Sequence, residues 1–299
     1  MSEPPNRCGF VALIGRPNVG KSTLLNRILG QDLVITSHKP QTTRHTILGI
    51  KTSATGQLIF LDTPGIHQRG ESALNRYLNS AARSVIHQAD ALVLVAEALR
   101  WTAEDEIALS VLAGVGVPVV AAVNKIDTLS DRGRLLPFLE RLGARYPFRE
   151  LVPLSAARGE QVDILESLLM DMLPVRGNLF PEDQLSDRPE RFFAAEFLRE
   201  QLTRRYDKEL PYQLSVEVER FEEEERRYVI HALVWVERPG QKAIIVGKDG
   251  TSLRECARAA RLKMREFFGR PVHLEVWVKV KKSWSRDAVA LAQLGYGEH

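Results

Sequence analysis

The chain has 299 residues, 44% of which are hydrophobic, and a formal net charge of +3. This length and composition predict an ordinary soluble protein of about two domains, each able to bury a full core. The two cysteines, Cys8 and Cys256, support neither a disulfide framework nor a zinc cluster and suit a reducing cytoplasm. The longest apolar stretch, residues 111–123, is too short to span a membrane.

Short apolar strands alternate with amphipathic helices between residues 10 and 173. The predicted strands are residues 10–14, 46–53, 57–61, 91–96, 117–123 and 151–154. The predicted helices are residues 21–29, 72–87, 103–113, 134–144 and 161–172. Because several strands are almost continuously apolar, the order predicts a doubly wound α/β fold with a mostly parallel sheet. We assign residues 1–174 to this domain and expect its ligand loops at the carboxyl ends of the strands.

A glycine-rich loop, residues 15–22, joins the first predicted strand to the first helix. Its pattern, G-x-x-x-x-G-K-S, places backbone N–H groups around phosphates, with Lys21 reaching the β and γ oxygens and Ser22 ligating Mg²⁺. We call this segment the P-loop, and it predicts a nucleotide site. The residues expected to contact the nucleotide here are Gly15, Arg16, Pro17, Asn18, Val19, Gly20, Lys21, Ser22 and Thr23.

A polar segment ahead of the second strand, residues 41–44, is expected to act as the first switch. A switch of this kind supplies a threonine hydroxyl to Mg²⁺, and the segment contains both Thr42 and Thr43. We favour Thr43, although spacing alone does not separate two adjacent hydroxyls.

The segment after the third strand, residues 62–66, is expected to act as the second switch. The Asp62 carboxylate is placed to hold the Mg²⁺ shell and the Gly65 N–H to meet the γ-phosphate, whose loss releases the loop. The nucleotide contacts expected from this segment are Asp62, Thr63, Pro64, Gly65 and Ile66. The predicted metal ligands are Ser22, Thr43 and Asp62, and the predicted catalytic residues are Lys21, Thr43 and Gly65.

Ile66 stands where Ras-like enzymes carry a glutamine that orients the attacking water. An aliphatic side chain cannot orient water. We therefore expect slow intrinsic hydrolysis that depends on water held by the backbone, on a monovalent cation near Asn18, or on a partner. His67 follows directly, and we interpret it as a bystander.

The segment N-K-I-D after the fifth strand, which we call the guanine segment, predicts guanine specificity. The Asp127 carboxylate accepts from N1–H and the amino group of guanine, whereas adenine would leave this charge unpaired. Lys125 is expected to lie across the base plane, and the Ala156 N–H, after the last strand, to donate to the base oxygen. The predicted base contacts are Asn124, Lys125, Ile126, Asp127, Ser155 and Ala156.

The pattern changes after the first domain. Residues 175–188 contain prolines, glycine and polar residues, and we assign them to an interdomain linker. From residue 189 to residue 299 the predicted order is α-β-β-α-α-β, which indicates a smaller α+β domain. The charge balance is −3 between residues 187 and 241 but +8 between residues 242 and 286. This basic half indicates nucleic acid as a partner.

A glycine turn, residues 247–250, precedes a helix with a stripe of arginines. Such a turn lets single-stranded RNA approach the backbone beside an apolar groove, here assigned to Ile244, Ile245 and Val246, which is the KH arrangement. A solvated basic helix face is the alternative. The predicted RNA contacts are Gly247, Lys248, Asp249, Gly250, Arg254, Arg258, Arg261, Lys281 and Lys282. Trp284 either stacks on RNA or anchors the final helix, and both interpretations stay open.

Together these segments resemble the Era family of bacterial ribosome-assembly GTPases over nearly the whole chain. The resemblance implies a P-loop GTPase domain followed by a type II KH domain, with GTP as substrate, GDP as product and Mg²⁺ as cofactor. It also implies binding to the 3′ end of 16S ribosomal RNA during maturation of the small ribosomal subunit, hydrolysis stimulated by RNA, and peripheral contact with the inner membrane. We expect a cytoplasmic monomer.

Two other functions stay open from the sequence. One is a GTP-gated signalling module whose basic face binds a protein or an anionic membrane surface. The other is a nucleotide-locked RNA-binding scaffold with negligible turnover. RNA affinity that falls steeply with salt would argue against the first, and multiple-turnover phosphate release would argue against the second.

Overall fold

The computed structural model of the chain describes residues 6–36, 39, 42–45, 47–62, 85–282 and 284–286. These residues form two compact units. The first unit holds the described residues up to Asp187, except Lys39 and Thr42. Those two residues belong to the second unit, together with the described residues from Arg188 onward.

The first unit is built on a six-stranded sheet with the strand order β2-β3-β1-β4-β5-β6. Its strands are β1 Arg7–Ile14, β2 Ile47–Ser53, β3 Gly56–Asp62, β4 Ala91–Glu97, β5 Val119–Asn124 and β6 Glu150–Pro153. All neighbours pair in parallel except β2, which runs antiparallel to β3. The predicted doubly wound, mostly parallel sheet is therefore confirmed.

Helices follow the strands of the first unit. The described α-helices are α1 Lys21–Leu29, α2 Ala103–Ser110, α3 Leu135–Gly143 and α4 Val162–Met172. The helix predicted for residues 72–87 lies mostly outside the described residues, and its end forms a 3₁₀ turn, Val85–Gln88. Almost every residue of β1, β3, β4 and β5 is buried, which is why these strands read as continuous apolar runs in the sequence.

The segment predicted as a linker packs on the first unit as far as Asp187. The Arg176 guanidinium pairs with Asp90 at 2.9 Å, and the Ile50 N–H donates to the Leu185 carbonyl at 2.9 Å. Ile50 lies on β2, which is an edge strand of the sheet formed by the described residues, so its outward N–H groups need acceptors from outside that sheet. The segment of residues 175–187 supplies one such acceptor, the Leu185 carbonyl, so this segment is part of the first unit.

The second unit is built on a three-stranded sheet with the order β7-β8-β9. The strands are β7 Leu214–Glu223, β8 Tyr228–Val236 and β9 Val272–Val280, and the helices are α5 Glu190–Arg205, α6 Pro239–Val246 and α7 Thr251–Phe268. β7 runs antiparallel to β8, and β9 runs parallel to it. The predicted α-β-β-α-α-β order is thus observed in full.

The core of the second unit lies between its sheet and its helices. Phe197 of α5 and Phe267 of α7 meet edge to face, with ring centroids 5.0 Å apart. Ala260 and Met264, on the same side of α7, are fully buried. The four-residue spacing of Ala260 and Met264 places them on one face of the helix. None of the described helices has the length and apolar composition needed to cross a membrane.

Candidate nucleotide and RNA sites

The P-loop leads from the carboxyl end of β1 into α1. Lys21 Nζ is buried within the loop and donates to the Gly15 carbonyl at 2.8 Å and the Arg16 carbonyl at 3.0 Å. Burial lowers the pKa of Lys21 to about 8, the Asp62 carboxylate opposes that change, and the Arg16 charge adds to it. Phosphate oxygens brought to this ammonium would stabilise its charged form, so the loop is arranged to bind an anion.

Gly20 lets the P-loop and the guanine segment touch. Its φ is 101°, and a Cβ at this position would lie 2.2 Å from Asn124 Nδ2. Asn124 Nδ2 occupies the space that a side chain at residue 20 would need, and it donates to the Val19 carbonyl at 2.8 Å. A side chain at residue 20 would therefore break the contact between the phosphate loop and the base-reading segment.

Hydroxyl and carboxylate oxygens gather beside the P-loop. Ser22 Oγ and Thr43 Oγ1 lie 3.1 Å apart, whereas Thr42 Oγ1 turns away and donates to the Lys39 carbonyl at 2.6 Å. Asp62 is fully buried at the end of β3. Oxygen donors of this kind suit Mg²⁺, and Ser22, Thr43 and Asp62 are the residues that would hold it. The metal would neutralise charge on the β- and γ-phosphates.

The rest of the second switch, Thr63, Pro64, Gly65 and Ile66, lies outside the described residues, as does His67. The expected contact between the Gly65 N–H and the γ-phosphate therefore stays a prediction. The same holds for a monovalent cation near Asn18.

The guanine segment follows β5 and is held by its own side chains. Asp127 Oδ1 accepts a 2.6 Å hydrogen bond from Ser155 Oγ, which fixes one carboxylate oxygen in the loop. Asn124 Oδ1 accepts from the Lys125 N–H at 2.8 Å and from the Ala156 N–H at 2.9 Å. Here the structure differs from the sequence prediction, because the Ala156 N–H expected at the base oxygen is bonded to Asn124.

The Arg16 side chain has partners that were not predicted from the sequence. Its side chain is only 6% exposed, and it lies between two carboxylates: Asp105 Oδ2 at 3.0 Å and Glu97 Oε2 at 2.6 Å. Only its backbone is thus available to a phosphate. Neither Glu97 nor Asp105 was predicted as a site residue, although Glu97 directly follows the predicted strand 91–96, in the position from which ligand loops start.

The glycine turn, residues 247–250, lies between α6 and α7. Gly247 has a φ of 71°, and an added Cβ would come within 2.7 Å of Ser252 Cβ. Asp249 and Gly250 are also left-handed, with φ values of 52° and 73°. Lys248 and Asp249 are exposed in this turn, which is the point where an RNA strand is predicted to lie.

Tyr206 joins the two sides of the glycine turn and was not predicted from the sequence. Its hydroxyl donates to the Ile245 carbonyl at 3.0 Å, ahead of the turn, and shares a 2.6 Å hydrogen bond with Ser252 Oγ behind it. Arg205 Nε also donates to Ser252 Oγ, at 2.9 Å. Tyr206 therefore ties the end of α6 to the start of α7.

The basic residues predicted to contact RNA lie at the surface of the second unit. Arg254, Arg258 and Lys282 are exposed, while Arg261 and Lys281 are half-buried. The Lys281 ammonium stands 6.0 Å from the centroid of the Trp235 ring.

The structure corrects one expectation about the apolar groove and decides between the two interpretations of Trp284. Ile245 is completely buried because it lies on the core side of α6, so Ile244, 57% exposed, is the isoleucine on the outer side. Trp284 is also completely buried, and its Nε1 donates to the Gln213 carbonyl at 3.3 Å. Stacking of Trp284 on RNA is thereby excluded, and the side chain serves as an anchor for its segment.

Lys39 and Thr42, beside or within the predicted first switch, pack on α5 inside the second unit. Arg199 Nη2 donates to the Thr42 carbonyl at 2.5 Å. Lys39 Nζ donates to the Thr203 carbonyl at 2.8 Å and pairs with Asp207 at 2.9 Å. A lysine at the carboxyl end of a helix is favourable because it meets the negative end of the helix dipole. No local sequence pattern pointed to these contacts.

The fold and the two sites define a class of protein: P-loop GTPases that carry a C-terminal KH domain. The family model for 50S ribosome-binding GTPases matches residues 10–125, and the KH-domain model matches residues 209–285. The chain is 50% identical to GTPase Era of Pseudomonas aeruginosa, over 98% of this chain and 96% of that protein. It belongs to the Era family of GTPases and hydrolyses GTP to GDP and phosphate.

Two solved structures of family members are similar to the chain over almost its whole length. One is a variant of Era from Aquifex aeolicus bound to GDP·AlF₄⁻; it has a TM-score of 0.94 and 35% identity, over 98% of this chain and 100% of that one. The other is Era in complex with MgGDPNP and nucleotides 1506–1542 of 16S ribosomal RNA, with the same four values. The predicted fold, the GTPase activity, and GTP, GDP and Mg²⁺ as ligands are confirmed.

Proposed function

We propose that this GTPase binds the 3′ end of 16S ribosomal RNA through its KH domain and assists assembly and maturation of the small ribosomal subunit. The observation that carries the proposal is the glycine turn with its basic helix, joined in one chain to a guanine-nucleotide site. A similar protein has been crystallised with nucleotides 1506–1542 of that RNA, which names the segment to test.

The charge of the surface around the turn favours RNA over a basic or neutral partner. Residues 242–286 carry a charge balance of +8, and Lys248, Arg254 and Arg258 are exposed close to the left-handed backbone of the turn. Phosphates near such a surface release counterions from the RNA, so binding should weaken steeply as salt rises. A strand lying across the turn would place its backbone close to the glycines and its bases near Ile244.

The proposal is tested by the GTPase rate and by RNA affinity in the same preparation. We expect a short RNA of the 16S 3′ end to raise the rate of GTP hydrolysis, and a scrambled RNA of equal length to leave it unchanged. The affinity for the specific RNA should fall steeply between low and moderate salt. Absence of both binding and stimulation would contradict the assembly role.

A charge-reversal variant tests whether RNA binds at the glycine turn. Lys248→Asp adds a second acid beside Asp249, and we expect RNA binding to weaken by about tenfold or more, because a phosphate contact is replaced by repulsion. Arg149→Asp makes the same charge change at an exposed position of the first unit and should bind RNA as the unaltered protein does. Equal affinities for the two variants would remove the turn from the binding surface.

The proposal includes a cytoplasmic monomer that contacts the inner membrane peripherally. The two buried free cysteines support a reducing compartment, whereas the membrane contact rests on family resemblance and on the basic charge of residues 242–286. Light scattering reports the mass of the particle, and flotation with anionic or zwitterionic vesicles reports membrane binding. Tight binding to anionic vesicles together with no RNA binding would favour the signalling alternative instead.

A further inference from the structure

We propose that Glu97 is a positioning residue for guanine-nucleotide binding, because one carboxylate joins Arg16 of the P-loop to Lys125 of the guanine segment. The inference concerns the nucleotide site alone and stands whether or not RNA binds. It is therefore separate from the ribosomal role proposed above.

The sheet topology puts Glu97 between the two ligand loops. β4 lies between β1 and β5 in the sheet, and Glu97 is its last residue. The P-loop starts at the carboxyl end of β1, and the guanine segment starts at the carboxyl end of β5. A side chain at the end of β4 is therefore the nearest strand position from which both loops can be reached.

Glu97 contacts both loops through one oxygen. Oε2 lies 2.6 Å from Arg16 Nη2 and 3.3 Å from Lys125 Nζ. Partial burial by itself would raise the pKa of Glu97, but the hydrogen bond from Arg16 and the charge of Lys125 outweigh it and hold the pKa below its usual range. The carboxylate is consequently ionised at neutral pH and attracts both cations.

Arg16 transmits this contact to the phosphate site. Its Nε is held by Asp105 Oδ2 at 3.0 Å, and that same oxygen caps the start of α2 by accepting from Thr102 N and Oγ1, both at 2.8 Å. The guanidinium is therefore fixed on two sides. The carbonyl of Arg16 accepts from Lys21 Nζ at 3.0 Å, so fixing Arg16 also fixes an acceptor for the phosphate-binding lysine.

Lys125 transmits the contact to the base site. Its backbone is left-handed, with a φ of 68°, and its side chain is 33% exposed. A flexible four-carbon side chain in that setting has many rotamers, and the ion pair with Glu97 selects among them. The ammonium is thereby directed along the guanine segment, where the sequence analysis expects it to lie across the base.

The main variant is Glu97→Gln, measured in the full chain with Mg²⁺. We expect the Kd values for GDP and GTP to rise by the same factor, about tenfold, because neither contact of Glu97 involves the γ-phosphate. Glu166→Gln is the matched control: Glu166 forms a partly buried pair with Lys51 at 2.5 Å in the same unit, outside every nucleotide segment. The control should lose similar thermal stability and keep its nucleotide affinity.

A double-mutant cycle separates positioning from stability. Lys125→Met removes one cation of the pair, and the double variant Glu97→Gln with Lys125→Met should weaken binding by clearly less than the product of the two single effects. Glu97→Asp keeps the charge but is one methylene shorter, so it cannot span both cations and should show an intermediate Kd. Multiplicative effects, a loss confined to GTP, or unchanged Kd values for Glu97→Gln and Glu97→Asp would each overturn the proposal.

Discussion

At the scale of single residues, the nucleotide site depends on contacts between side chains that are distant in sequence. Asn124 is an example, because its amide nitrogen donates to the Val19 carbonyl and its oxygen accepts from the Ala156 N–H. One side chain thus connects the P-loop, the guanine segment and the loop after β6. Substitutions that displace the Asn124 side chain should therefore weaken nucleotide binding, even where they add only one methyl group.

Gly20→Ala tests this connection. The new Cβ would overlap Asn124 Nδ2 at 2.2 Å on a backbone with a φ of 101°, so we expect about 1–3 kcal/mol of lost stability and a marked loss of affinity for both GDP and GTP. Gly30→Ala is the control, since its φ is 70° but nothing lies within 4 Å of an added Cβ. Thermal melts and nucleotide titrations of both variants measure the outcome; matching nucleotide affinities would show that the Asn124 contact is dispensable.

At the scale of elements, Tyr206 holds two helix ends at the spacing that the glycine turn requires. Its hydroxyl bonds Ile245 near the end of α6 and Ser252 near the start of α7. The geometry of the predicted RNA site therefore depends on a residue that follows a third helix, α5.

Tyr206→Phe removes the hydroxyl and keeps the ring. We expect RNA affinity to fall by about three- to tenfold, because roughly 1 kcal/mol of hydrogen bonding that orders the turn is lost. The GTPase rate without RNA should not change. Tyr146→Phe removes a hydroxyl that donates to the Leu112 carbonyl in the first unit and serves as the control. RNA titrations by anisotropy give the answer, and an unaltered affinity in Tyr206→Phe would count against this role.

At the scale of the whole molecule, buried and half-buried ion pairs make stability depend on pH. Hydrogen bonding from Arg16 and the charge of Lys125, acting against partial burial, hold the pKa of Glu97 below 4.5 in the folded protein. A carboxyl whose pKa is lower in the folded than in the unfolded protein stabilises the fold at every pH above its unfolded-state pKa. This contribution is lost as the pH falls toward and through its folded-state pKa.

The free energy of unfolding of the protein and of Glu97→Gln should therefore differ most at neutral pH. On acidification below about pH 4.5 the difference should shrink, because the protonated glutamic acid then resembles glutamine. Denaturant titrations at several pH values measure this. A difference that stays constant from neutral to acidic pH would show that the Glu97 charge contributes nothing to folding stability.

Much of the fold was predictable because its signals are local. Continuous apolar runs marked the buried strands, and a glycine-rich turn marked the P-loop; both patterns are read within about ten residues. The course of residues 175–187 was less predictable. Prolines and polar residues correctly indicated irregular chain, but packing against β2 depends on an edge strand more than a hundred residues earlier.

The sequence by itself determined the class of protein and the segments in which its sites are predicted, since Lys21, Asp127 and the glycine turn belong to short motifs whose spacing is set by phosphate, guanine and backbone geometry. Only the tertiary structure decided that Arg16 faces Glu97 and Asp105, that the Ala156 N–H bonds to Asn124, and that Trp284 is buried. The physical reason is that these contacts arise where the ends of separate elements meet, and sequence spacing does not encode which ends become neighbours.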